Sequence, residues 1–210
     1  MVKKLVIAGA SGNALDVMDI VDAINARGPE WEIAGLLDDG KNRGDVCFGL
    51  PVLGGMSRAG ELKDCWFVLT MGSDLSYQRR AEMVEKMGTD RFATLVHPLA
   101  CVSKRASLGA GTCVNFGVSV AGNVKVEDHV FLGPRVVVGH DSVIGSHSVI
   151  AAGAVISGAV TIGKMCYIGA SASIKQKVAV GERALVGMGA VVLKNVEEGK
   201  KVVGNPARVL

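Results

Sequence analysis

Aromatic residues are scarce: 5 Phe, 2 Trp and 2 Tyr among 210 residues. So few rings leave a narrow aliphatic column, which has little room for them, as the natural core. The five cysteines, Cys47, Cys65, Cys101, Cys113 and Cys166, are odd in number and include no Cys-x-x-Cys pair. That pattern argues against a disulfide framework and reads as reduced thiols in a cytoplasmic protein. Charge of one sign is missing as well. The formal net charge is +3 and the two signs are interspersed, so no basic block argues for a nucleic-acid partner. No apolar run has the length of a membrane span. The early run Leu5–Ala10 is too short for the apolar segment and cleavage site of a signal peptide.

What is abundant is a period of six. From Val96 to Val192 every sixth residue is aliphatic, seventeen positions without a break in register. The position four further on holds only Ala, Ser, Thr, Cys or Val, as at Ala100, Thr112 and Ala184. Cys166 occupies one of these small slots, where a thiol packs as a small hydrophobe. Gly often follows the aliphatic residue, as at Gly109, Gly139 and Gly181, and is expected to give the backbone freedom at a bend. Six residues suit a short strand and a tight corner, and match neither helical period. Three such sides make an eighteen-residue triangular coil, with coils stacked at about 4.8 Å. The period therefore predicts a parallel β-helix.

Residues 1–94 follow a different grammar. Lys4–Ala8, Glu32–Leu37, Cys65–Thr70 and Phe92–Val96 read as strands. Ala14–Arg27 and Leu75–Met87, the latter carrying Arg79 and Arg80, read as helices. Strand–helix alternation predicts a small parallel sheet of Rossmann type. The expected organisation is an α/β Rossmann-like domain over 1–94, a β-helix over 95–193 and a tail over 194–210.

The order of three motifs narrows this reading: Gly9-Ala10-Ser11-Gly12 followed by Leu37-Asp38-Asp39; Gly139-His140-Asp141-Ser142-Val143-Ile144-Gly145 inside the repeat; and Val203-Gly204-Asn205-Pro206-Ala207-Arg208 at the end. Together they cover nearly the whole chain. The sequence resembles the hexapeptide-repeat acyltransferases, and within them the sialic-acid-type family that includes N-acetyltransferases of UDP-linked amino sugars in bacillosamine-type pathways. The resemblance implies a left-handed coil, against the general right-handed crossover rule. It also implies a homotrimer with active sites between neighbouring β-helices, and acetyl-CoA as cosubstrate without a metal.

Acetyl transfer to an amine needs a base for the amine proton, and histidine has a suitable pKa. The chain has four: His97, His129, His140 and His147. His140 falls two residues after Val138, at an outward corner, with Asp141 beside it to hold the ring. The family's matching histidine is the base, so His140 and Asp141 are the expected catalytic pair. No serine or cysteine sits in a nucleophile motif, which favours direct transfer.

For the sugar nucleotide, the resemblance points to Gly9, Ser11, Gly12, Asn13, Asp38, Asp39 and Gly72. For coenzyme A it points to Val149, Gly158, Ala170 and Met188. Lys194, Lys200, Lys201 and Arg208 are candidate phosphate partners. A backbone N–H near Gly158 is a candidate donor to the thioester oxygen. Asn13 and Val149 depart from relatives that carry histidine there. The expected reaction is N-acetylation of a UDP-4-amino-4,6-dideoxy sugar. O-acetylation of a sialic-acid-like sugar is the close rival. A third reading is a zinc enzyme like the γ-carbonic anhydrases. His129 and His147, one coil apart, are expected to stack about 5 Å apart on one face, as surface residues near the cleft.

Overall fold

The computed structural model describes residues 2–210. Its first part is a five-stranded sheet in the order β3-β4-β2-β1-β5. β1 (Lys3–Ala8), β2 (Trp31–Leu37), β4 (Leu50–Gly54) and β5 (Cys65–Leu69) run parallel. β3 (Val46–Cys47) pairs antiparallel with β4, a hairpin beyond the strands that the sequence predicts. β1 is an interior strand, between β2 and β5, and Leu5, Val6, Ile7 and Ala8 are all fully buried. Helix α1 (Gly12–Asn25) lays Ala14, Val17, Ile20 and Val21 on the sheet. The second expected helix divides into a 3-10 turn, Tyr77–Arg79, and α2 (Arg80–Met87), which ends at left-handed Gly88.

The expected strand Phe92–Val96 also divides. Phe92 bridges Phe67 of the first sheet, whereas Leu95–Val96 pairs with Cys113–Val114 of the second part. The chain changes sheet between them. From Leu95 to Ile174 each two-residue strand pairs in parallel with the strand eighteen residues on, as Val137 does with Val155. Three sheets result. Face one runs from Leu95–Val96 through Phe131–Leu132 to Leu185–Val186. Face two runs from Cys101–Val102 to Val191–Val192. Face three runs from Ser107–Leu108 to Ala179–Val180. The period-six residues from Val114 to Val192 point inward and are at most 2% exposed. Each contributes about 1.5–3 kcal/mol through burial.

The corners correct the sequence reading. The glycines that follow the aliphatic residue do not have positive φ. They are required for a different reason: a Cβ on Gly145 would lie 2.5 Å from the backbone of Gly163, and one on Gly169 2.5 Å from Met188 N. Coils approach too closely there for any side chain. The left-handed backbone sits two residues later. From Gly111 to Gly189 every sixth residue has φ between 53° and 69°, fourteen corners in succession, ten of them not glycine. Their N–H groups reach the preceding coil, as His147 N does to Asp128 O at 2.9 Å. Beyond Val192 the coil continues. Lys201–Val203 adds in parallel to Leu185–Val186, and Arg208–Val209 folds back against it.

The α/β part packs on face one. Cys113, Phe131 and Val149 project outward from that face into the same apolar cluster as Leu5, Ile7, Val17 and Val68.

Candidate active site

Parallel strands end together, so the loops after β1, β2 and β5 gather at one edge of the sheet, where α/β proteins hold ligands. They enclose a cleft of about 430 Å³ lined by Gly9, Ser11, Gly12, Asn13, Asp38, Met71, Gly72, Ser73, Ser76 and Tyr167. Gly9 has φ 111°, and a Cβ there would meet Thr70 Oγ1 at 2.8 Å. Asp38 bends the loops together, accepting from Ala10 N at 2.8 Å and Gly40 N at 2.8 Å. Asn13 Nδ2 donates to Thr70 O at 2.9 Å. Six of the seven expected sugar-nucleotide residues therefore meet. Asp39 does not. Its carboxylate accepts from Met56 N and Lys86 Nζ, both at 2.9 Å. Partial burial opposes its charge, but these two donors outweigh it and hold the carboxyl low.

Tyr167, absent from the sequence reading, closes the cleft from face one. It is the only aromatic residue that the β-helix brings to the cleft lining. Val149 is 2% exposed. It lies under Gly72, whose Cβ would come within 3.0 Å of it. A cofactor contact at Val149 is thus corrected to a packing role between the two parts of the chain.

His140 occupies the edge between faces two and three, opposite face one. Its ring is 72% exposed, and Nδ1 lies 2.7 Å from Asp141 Oδ2. The other carboxylate oxygen, Oδ1, accepts from Asn123 Nδ2 at 2.6 Å. Hydrogen bonds from Asn123 and then from His140 hold the Asp141 carboxyl below the usual range. An ionised carboxylate only accepts, so Nδ1 carries a proton, and in the neutral ring the lone pair is then at Nε2. The ring lies over Gly158, where a Cβ would meet Nε2 at 2.7 Å. Gly158 N–H donates to no backbone carbonyl.

Of the other expected coenzyme A residues, Ala170 and Met188 sit on neighbouring coils at the edge between faces one and two, joined by Gly189 N to Ala170 O at 2.8 Å. Met188 is 78% exposed. Lys194 and Arg208 share a cleft of about 470 Å³ at the end of the coil. Lys200 and Lys201 are exposed and outside that lining.

The edge between faces three and one holds His129 and His147, stacked with centroids 5.0 Å apart and planes 11° apart. Both are half-buried rather than on the surface, and His129 packs edge-on against Phe92. Face-to-face rings do not converge their nitrogens on one point. Among the described residues no group of three His, Cys, Asp or Glu is placed to hold a metal ion. Arg80, fully buried, reaches this edge. It donates to His129 O at 2.6 Å and to Met71 O of the cleft loop. Burial, then His147 and Arg80, lower the His129 pKa to about 4.

Comparison with known proteins accords with this architecture. The PglD N-terminal domain model matches residues 4–87. The bacterial transferase hexapeptide model matches 123–158, and the hexapeptide repeat of succinyl-transferase matches 159–194. The acetyltransferase domain of PglB from Neisseria gonorrhoeae FA1090, solved with acetyl coenzyme A, is 29% identical with TM-score 0.87, and the alignment covers 100% of both chains. WeeI from Acinetobacter baumannii AYE is 27% identical with TM-score 0.83, covering 99% of this chain and 100% of that one. PerB from Caulobacter crescentus, solved with CoA and GDP-perosamine, has TM-score 0.85 over 100% of this chain and 98% of that one. Its 23% identity supports the fold alone. No curated protein sequence matches. The β-helix is left-handed, as the family resemblance implies. Three family models, which between them match residues 4–87 and 123–194, and these structural neighbours support a hexapeptide-repeat acyltransferase with a PglD-type N-terminal domain.

Proposed function

We propose that the protein transfers acetyl from acetyl-CoA to the amino group of a nucleotide-linked sugar, with a UDP-4-amino-4,6-dideoxy sugar as the acceptor. The observation that carries this reading is the His140–Asp141 pair on an open edge, with Nδ1 committed to the carboxylate and Nε2 free. The relative at 29% identity is an acetyltransferase domain solved with acetyl coenzyme A. The amine nitrogen attacks the thioester carbonyl and its proton passes to Nε2 as the C–N bond forms. The C–S bond then breaks, and the proton on Nε2 goes to the departing thiolate. Gly158 N–H, beside the ring, stabilises the carbonyl oxygen as charge develops. Burial pushes the Cys113 and Cys166 thiols up to about 12, so neither supplies a thiolate nucleophile. Direct transfer without an acyl-enzyme fits this.

The sugar-nucleotide cleft lies on the face-one side and His140 on the opposite edge. One protomer therefore cannot bring its own cleft to its own base. A homotrimer resolves this, with the His140 edge of one protomer facing the cleft of its neighbour. Coenzyme A lies along the coils past Ala170 and Met188, with Lys194 and Arg208 near its phosphates. The test is thiol release from acetyl-CoA with a panel of UDP-, GDP- and dTDP-linked amino sugars and free sialic acids. Rapid release with a UDP-4-amino sugar is expected. Release only with sialic acids assigns O-acetylation instead, and release only with GDP or dTDP sugars overturns the choice of nucleotide.

A further inference from the structure

The left-handed corners stack in register along each edge. On the edge that bears the base, Asn123, Asp141 and Ala159 occupy equivalent positions eighteen residues apart, with φ of 62°, 61° and 56°. The backbone does not demand asparagine at the first of these. Glycine serves the same hexad position at Gly111, Gly117, Gly153 and Gly189. Packing does not demand it either, because Asn123 is exposed. Its amide Nδ2 instead reaches forward by one coil to Asp141 Oδ1 at 2.6 Å, the shortest side-chain hydrogen bond on this edge. Asp141 Oδ2 meets His140 Nδ1 at 2.7 Å. The imidazole then lies on Gly158 of the next coil. Three successive coils thus supply an amide, a carboxylate with its imidazole, and a floor.

Bound at both oxygens, the carboxylate has one rotational setting, and the ring has one tautomer. With the amide removed, the carboxylate of this exposed aspartate is free to turn, and the Nε2–H tautomer becomes accessible. That tautomer cannot accept a proton at Nε2. We propose that Asn123 is a positioning residue of the acetyl-transfer site, acting through Asp141 to keep the His140 Nε2 lone pair available. The inference rests on His140 being the base.

The test uses the full chain with Asn123→Gly, which preserves the backbone at φ 62°, together with Asp141→Ala and the double variant. A hydrogen bond to a charged group supports an expected drop in kcat of about tenfold for Asn123→Gly. KM for both substrates should stay within about twofold. In the Asp141→Ala background the same substitution should have no further effect, which a merely structural asparagine would not produce. Ring nitrogen shifts of His140 by NMR give a readout independent of turnover: the Nδ1–H tautomer should dominate in the parent chain and lose population in Asn123→Gly. An unchanged tautomer, or a loss of kcat additive with Asp141→Ala, overturns the proposal. Full activity of His140→Ala would instead overturn His140 as the base, and the NMR result would still decide whether Asn123 sets the ring.

Discussion

His140 and Gly158 illustrate how one residue on each of two coils defines a chemical surface. The ring is exposed and its partner glycine has ordinary φ, so Gly158→Ala is compatible with the backbone. The added methyl would stand 2.7 Å from Nε2 and push the ring off its floor. Gly158→Ala is expected to lower kcat at least tenfold while the melting temperature hardly changes. Equal activity of the two proteins would show that the ring does not work from this position. The pair itself was legible in the sequence, because the period alone puts His140 at a corner and Asp141 beside it. Asn123 was equally within reach of the period, eighteen residues before Asp141, but nothing in composition marks an exposed asparagine as a donor. Tyr167, Val149 and Asp39 were not legible. Their roles depend on which face the α/β part covers and which way a loop carboxylate turns, and these are tertiary facts.

Within the β-helix, the hexad divides labour between two positions that a sequence cannot tell apart. Where glycine follows the aliphatic residue the next coil touches it, and the residue at the corner is left-handed because the chain turns there. Opposite substitutions separate the two. Gly145→Ala drives a Cβ into the backbone of Gly163 and should destabilise the fold by about 2–3 kcal/mol. Ser171→Gly, at φ 57°, relieves a left-handed residue and should stabilise it by about 0.5–1 kcal/mol. Urea midpoints at constant m would measure both. Equal destabilisation by both would return the bend to the first glycine, as the sequence reading had it. The β-helix was readable because its period is repeated over seventeen positions and every repeat agrees with its neighbours. The hairpin of β3 and β4 was not, since two residues give no periodicity to read.

Across the whole molecule, the α/β part is fastened to the coil by a buried arginine and two half-buried histidines whose charged forms burial opposes. His129, His147 and Arg80 meet there with Cys113, Asp128 and Lys164 as their titratable or charged neighbours. Burial lowers both histidine pKa values, that of His129 to about 4 from 6.5. Between those values the unfolded chain binds protons that the folded chain refuses, so stability is full above about pH 6.5 and falls as pH drops toward 4. The loss should reach about 2–3 kcal/mol from His129. His129→Asn, which tolerates the left-handed corner, should flatten that slope, and urea midpoints at pH 7.5 and 4.5 check it. The separation of cleft and base predicts complementation between subunits. His140→Ala protomers co-expressed with Gly9→Val protomers should recover activity that neither has alone, and no recovery would argue for a site within one chain. The most direct measurement is the rate of thiol release from acetyl-CoA with a UDP-4-amino sugar, comparing the parent chain with His140→Ala. A fall in kcat of about a hundred- to ten-thousandfold at little-changed KM is expected of a lost general base. An undiminished rate in His140→Ala would contradict the account.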